Sequence, residues 1–385
     1  MLRRLVGDSW KRALLHGALA LALFGAGAFV FVWLGLSPIA ASSGHWALTQ
    51  RFLGFAMRNA VETRSIAVHV PSLADPALWP KSAGHYAAGC APCHGAPGQS
   101  RPPLVKQMVP QPPLLQPVLA EWDAEELFWL VKHGLKYTAM PGWVAQQRDD
   151  EVWAMVAFLR KLPELDARAY RKLAYGDMAD SMIDGGAAAA TVAFSDPIGA
   201  ALADCMRCHG RDGRGRGAGT IPVLAGQREE YLLASLVAYA AGERASGIMQ
   251  PVAAALDAPD MRALARVFAA MPGGVAEQPP ETGAAAAGVR AAIVRGAALA
   301  TRGDGARRIP ACVQCHGPSS AQRNPLFPRL GGQHADYLLL QLQLFRQGVR
   351  GGHAWRELMH EAASALDERD IRDLAAYYGR GDVPG

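Results

Sequence analysis

The chain has 385 residues, half of them hydrophobic and 19% charged, which excludes a disordered chain and leaves room for about two to four domains. Its formal net charge is +5, from 39 Lys and Arg against 34 Asp and Glu. No basic run is interleaved with aromatics, so nucleic acid is not expected as a partner.

Residues Gly17 to Leu36 form an uncharged apolar run. As a helix at about 1.5 Å per residue it is about 30 Å long, the thickness of the hydrocarbon core of a bilayer. Arg3, Arg4, Lys11 and Arg12 precede it, so the positive-inside tendency predicts residues 1–36 as a cytoplasmic N-terminus and a single-pass anchor, with the rest outside. A cleaved signal peptide, cut near Ala40 to Ser43, is the alternative; its apolar region is usually shorter. Residues 37–78 are expected to be a juxtamembrane spacer, with Trp46 and Phe52 near the membrane surface.

Three helical blocks follow, at 79–163, 191–272 and 289–383, separated by linkers at 164–190 and 273–288 that are marked by GGAAAA (185–190) and by a Pro/Gly-rich run. The second and third blocks are a repeat. Cys205 to Gly210 matches Cys312 to Gly317, and the Pro222–Gln227 segment matches Pro328–Gln333. Tyr231 matches Tyr337, Gly242 matches Gly348, and Asp257 matches Asp367. Each block ends in an apolar stripe of helical period, such as Ile371, Leu374, Ala375 and Tyr378 or Val152, Met155, Val156 and Leu159. Asp257 and Asp367 are predicted N-caps, and Asp149-Asp150-Glu151 is the acidic start of the first block's closing helix. No run alternates as a strand, so the class is all-α.

All six cysteines fall into pairs of identical spacing, each followed directly by histidine: Cys90, Cys93, His94; Cys205, Cys208, His209; Cys312, Cys315, His316. This is the attachment pattern for c-type haem, in which two thiols become thioethers and the next histidine lies under the iron. A thioredoxin-like motif needs a βαβ context, and four-cysteine zinc sites leave one pair unused. Three covalently bound haems are therefore expected.

Each iron needs a sixth ligand, and methionine suits an electron carrier because it raises the potential and fills the site against oxygen chemistry. Met140, Met249 and Met359 are the candidates. Each lies 12 residues before a closing-helix residue: Val152, Met261 and Ile371. Met108 is second in the first block, whereas Met155 reads as core filler. In the third block His334, His353 and His360 are rivals, His360 being adjacent to Met359. A proximal histidine donates its other ring N–H to an acceptor. Pro222 and Pro328 are candidates to carry that carbonyl, and Pro103, Pro112 and Pro113 remain open in the first block.

These residues resemble class I cytochromes c over all three blocks. The second and third, through CMRCHG, CVQCHG, PVLAGQ and PRLGGQ, resemble bacterial two-domain dihaem cytochromes c. The first, through CAPCHG and TAMPGW, resembles a single-haem bacterial cytochrome c. The resemblance implies an N-terminal helix crossing a C-terminal one in each domain. It also implies an electron carrier on the periplasmic side of the cytoplasmic membrane, not an enzyme. Its expected partners are a quinol-oxidising complex or dehydrogenase on one side and a soluble cytochrome or terminal oxidase on the other. The alternative is the cytochrome subunit of a membrane-bound dehydrogenase of the alcohol or gluconate type.

Overall fold

The computed structural model describes residues 2–37, 39–179, 197–217, 219–273, 283–317 and 324–380. The GGAAAA tract and residues 274–282 of the second predicted linker lie outside the described residues. The described chain is helical, with no strand and two isolated bridges, Ala96–Gln99 and Asp304–Ile309. It divides into two units, Met1–Ala56 with Pro103–Gln111, and Met57–Pro102 with Pro112–Gly385.

In the first unit a 32-residue helix runs Leu2–Trp33, and its side chains from Trp10 to Trp33 are exposed throughout. The helix starts before the apolar run and ends three residues earlier than the predicted Leu36. Gly35 sits at φ +67°, and the N–H of Leu36 donates to the Phe31 carbonyl, which closes the helix with a left-handed cap.

The expected spacer 37–78 contains a 19-residue helix, Ala47–Ser65. Its C-terminal part belongs to the second unit: Val61 and Ser65 are buried, and Arg58 lies 4.5 Å over the Trp122 ring. The predicted linker 164–190 likewise begins inside the first haem-motif domain. Helix Ala167–Tyr175 buries Tyr170 and Ala174 in the core built on Tyr86 and Phe158. Tyr170 and Ala174 share one face, and Arg168, Arg171 and Lys172 made the segment read as polar. The last residues of the second predicted linker, from Gly283 on, are already helical, within Gly283–Arg302.

Each domain closes as its period requires. Val152, Met155, Val156 and Leu159 are buried along Asp149–Lys161, and Ile371, Leu374, Ala375 and Tyr378 along Glu368–Tyr378. The Asp257 and Asp367 carboxylates accept from the N–H groups of Asp260 and Asp370, as N-caps do. In the first domain Arg148 stands at the cap instead, its side chain accepting from no backbone N–H but pairing with Asp150 and Glu151 of the first turn.

Helix Gly283–Arg302 packs on the closing helix Glu368–Tyr378 at Gly296, where an added Cβ would lie 2.0 Å from the Asp373 carbonyl oxygen. Gly296→Ala is therefore expected to cost about 1–3 kcal/mol or more by overpacking. Thermal melting followed by Soret circular dichroism checks it, and an unchanged melting temperature would show that this helix pair is not rigidly packed.

Candidate functional site

The first motif lies on one helical run, Leu78–His85, a π-turn Tyr86–Cys90, then Ala91–His94. The second ends helix Pro197–His209. The third sits on the short helix Val313–His316, after a loop from Gly303 that the other two lack. π-turns recur at functional sites, and this one ends on Cys90 itself. All six cysteines are free. Burial pushes the Cys90 and Cys205 thiols up to about 12 and Cys312 up to about 11. Nucleophilic redox cysteines show the reverse shift. Among the described residues no three His, Cys, Asp or Glu side chains converge as a metal cluster, so a four-cysteine zinc centre has no donor set there.

The three histidines are prepared alike. His94 Nδ1 donates to the Pro113 carbonyl at 3.0 Å, His209 Nδ1 to Pro222 at 3.1 Å, and His316 Nδ1 to Pro328 at 3.0 Å. Pro222 and Pro328 were legible from the repeat; in the first domain the structure selects Pro113 from three prolines. Burial lowers the pKa of each ring, with the proline carbonyl opposing. With Nδ1 carrying the proton, Nε2 presents a lone pair to a metal.

In the second and third domains this donor set faces a cavity of about 650 Å³. Cys205, Cys208, His209 and Met249 line it from one domain, and Cys312, Cys315, His316 and Met359 from the other. Its walls are otherwise mostly aliphatic and aromatic, including Leu264, Phe268, Leu338 and Phe345. A large, flat, apolar group bearing a metal fits such walls and donors. Met359 lies on the lining while His360 Nδ1 donates to the Phe345 carbonyl at 2.6 Å. His353 also lines the cavity, with its pKa lowered to about 4 by burial, Arg350 and Arg244. In the first domain Met140 is half-buried, its N–H donating to Thr138 Oγ1 and its carbonyl accepting from the Leu135 N–H.

The matched residues of the repeat meet across the boundary between the second and third domains. Gln333 accepts from the Val223 N–H at 2.8 Å and donates to the Val223 carbonyl at 3.0 Å. Its counterpart Gln227 accepts from the Arg329 N–H at 2.9 Å and donates to the Arg329 carbonyl at 3.0 Å. Val223 and Arg329 each follow the proline that holds a histidine, so each domain steadies the other's proximal loop. The arginines repeat the exchange. Arg244 donates to Tyr337 at 3.1 Å and to Ser235 at 2.8 Å, while Arg350 donates to Tyr231 at 2.8 Å and to Gln341 at 2.6 Å.

Both arginines line the cavity and take hydroxyl or amide partners there, with no carboxylate in an ion pair with either among the described residues. Against burial, which alone would raise it, Arg244 and Arg350 draw the Tyr231 pKa down. Two positive charges held in an apolar cavity suit a ligand that carries carboxylates. Sequence reading missed them, although both stand two residues after the matched Gly242 and Gly348.

The first domain also reaches this cavity through Lys81 and His85. His85 packs edge-on against Trp143, 5.0 Å between ring centres, and burial, then Arg207 and Lys81, lower its pKa to about 4. A base whose pKa falls on folding binds its proton more readily in the unfolded chain, so its contribution is present above about pH 6.5 and lost as pH falls towards 4. The loss is on the order of 3 kcal/mol. Melting temperatures measured from pH 7 to 4 are expected to fall less steeply in His85→Asn; parallel curves would refute this.

A family model described as cytochrome C oxidase, cbb3-type, subunit III matches residues 77–159, and one described as cytochrome c matches 198–273 and 293–378. The chain is similar to the thiosulfate dehydrogenase electron acceptor of Stutzerimonas stutzeri, 40% identical over 174 residues, or 45% of this chain and 77% of that one. The protein of the same name in Thiomonas intermedia is 36% identical over 46% of this chain and 77% of its own length. Cytochrome c4 of Pseudomonas aeruginosa is 34% identical, over 46% of this chain and 84% of the other.

Proposed function

The chain belongs to the cytochrome c family and carries haem c on three cysteine pairs, and from that premise we propose that it is a membrane-anchored electron carrier. It takes electrons from a periplasmic dehydrogenase at its second and third domains and delivers them to a membrane oxidase or soluble cytochrome through its first. Haem c supplies reversible one-electron storage at iron. The chain's own residues do the rest. Cys90 and Cys93, Cys205 and Cys208, and Cys312 and Cys315 hold the three groups. His94, His209 and His316 present Nε2 to iron, with Nδ1 pinned on a proline carbonyl. Met140, Met249 and Met359 would supply the sixth ligands, and Arg244 and Arg350 would receive carboxylates inside the cavity.

The observation that carries the reading is the continuous apolar cavity holding two complete ligand sets from two domains. Two redox centres lining one largely apolar cavity are close enough in space to exchange electrons. The direction rests on the names of similar proteins: two are electron acceptors of thiosulfate dehydrogenase, and the model matching the first domain is named for an oxidase subunit. The exposed apolar helix Trp10–Trp33 supports anchoring in the cytoplasmic membrane with the haem domains outside.

The test is reduction of detergent-solubilised holoprotein by a thiosulfate dehydrogenase and thiosulfate, followed at the α-band. Reduction of all three haems over successive two-electron turnovers is expected; no reduction would overturn this donor. Copurification of a stoichiometric alcohol or gluconate dehydrogenase from solubilised membranes would instead make the chain a subunit of that complex.

A further inference from the structure

Glu151 is an acid of the first domain that lies 2% exposed beneath a loop of the second. Its Oε1 accepts from Ser246 Oγ at 2.6 Å and from an Arg148 guanidinium nitrogen at 3.1 Å. Its Oε2 accepts from the Gly247 N–H at 2.6 Å and from Trp143 Nε1 at 3.3 Å. Arg148, held by Asp150 at 2.7 Å, donates to the Ala245 carbonyl at 2.7 Å. Three consecutive residues, Ala245, Ser246 and Gly247, are thus gripped by two side chains of another domain.

The grip continues one step further. The Ser246 hydroxyl has a single proton, which goes to Glu151, and its lone pairs accept from the Ile248 N–H at 3.3 Å and the Met249 N–H at 3.0 Å. A hydrogen-bond relay, charge-assisted at its Glu151–Ser246 link, therefore runs from Glu151 to the backbone of Met249. Steric fit allows no slack on the other side, since a Cβ on Gly247 would lie 2.1 Å from Trp143 Nε1. Trp143 itself follows Met140 in the first domain's distal loop, so the two methionine loops are braced against one carboxylate. The third domain has no counterpart to this brace: Arg356, not serine, stands three residues before Met359.

We propose that Glu151 is a positioning residue, acting through Ser246, that holds Met249 on the iron of the second haem, so that docking of the first domain sets the ligation and potential of its neighbour. This rests on the reading of Met249 as the sixth ligand. The brace acts by opposing withdrawal of the thioether. Removing it raises the fraction of open second-haem iron, which an added ligand traps.

The experiment uses full-length oxidised holoprotein with Glu151→Gln, Ser246→Ala and Met249→Ala. Three quantities are read: the weak far-red sulfur-to-iron absorption, equilibrium binding of imidazole, and the midpoint potentials from redox titration. Losing one charge-assisted bond at this site predicts about tenfold tighter imidazole binding at one haem in three for Glu151→Gln and Ser246→Ala. A lowered midpoint potential for that haem alone is also expected, with partial recovery in Ser246→Thr.

If Met249→Ala opens one haem but the two brace variants bind imidazole as wild type does, even with a lower melting temperature, the brace is merely structural and the proposal is overturned. If Met249→Ala leaves the far-red band and imidazole binding intact, the ligand reading itself fails. Should Glu151→Gln not fold, Ser246→Ala decides, because it leaves Gly247, Trp143 and Arg148 on the carboxylate.

Discussion

Met359→Ala is expected to abolish the sulfur-to-iron absorption of the third haem and to lower its midpoint potential, whereas His360→Ala leaves both unchanged. The two side chains are adjacent on helix Arg356–Ser364 and so point about 100° apart. One direction is the cavity, where Met359 stands with Cys312, Cys315 and His316. The other is the Phe345 carbonyl, which takes the His360 Nδ1 proton at 2.6 Å. Imidazole on iron would require that bond to break and the helix to turn by about one residue, dislodging Ala363, which is fully buried. The shift in potential should be on the order of 100 mV, within the range of about 0.8 V that axial ligands span, because thioether sulfur favours ferrous iron. Redox titration of the holoprotein checks it. A change in His360→Ala without one in Met359→Ala would reassign the ligand of that haem and leave the other two untouched.

Gln333→Ala and Gln227→Ala are each expected to destabilise the pair of C-terminal domains by about 2–4 kcal/mol. Each amide satisfies one N–H and one carbonyl of the opposite domain, and removing it leaves two backbone groups unpaired, buried at Val223 and part-buried at Arg329, at about 1–2 kcal/mol apiece. The double variant should loosen the boundary further, while Arg244 on Tyr337 and Arg350 on Tyr231 still join the two domains. Melting followed in the Soret region and the rate of electron equilibration after flash reduction both report the outcome. Gln343→Ala, which loses one exposed bond to Glu368, is the control and should stay within about 0.5 kcal/mol of wild type. A double variant that melts and equilibrates like wild type would show that the reciprocal amides do not hold the interface.

Much of this was legible in the chain itself. Haem attachment reads directly because its chemistry needs two thiols and an imidazole within five consecutive residues, as at Cys205 to His209. The closing helices read directly because burial of one face leaves a period, as in Ile371 to Tyr378. Pro222 and Pro328 could be picked out because two copies of one module place them alike. Met249 and Met359 were chosen by the same comparison, which sees position but not direction; the orientation of Met359 and His360 needed the helix to be docked.

Other features depend on packing and leave no period or motif. Tyr170 and Ala174 close the first domain's core from a nine-residue helix that also carries Arg168, Arg171 and Lys172, too short for its stripe to stand out. Pro113 could not be separated from Pro103 and Pro112, because loop closure alone brings one carbonyl to His94. Glu151 read as a favourable charge in the first turn of a helix, and only the approach of Ser246 and Gly247, almost a hundred residues away, makes it a buried clasp. Gln227 and Gln333, like Arg244 and Arg350, were visible as matched pairs, yet a repeat says nothing about whether its copies face each other. By itself the sequence determined what each module binds, since covalent attachment is a local reaction of neighbouring side chains. Which modules share a cavity, and which residue of one steadies the ligand of another, was decided by the tertiary structure, because hydrogen bonds between distant segments exist only once apolar burial has brought those segments together.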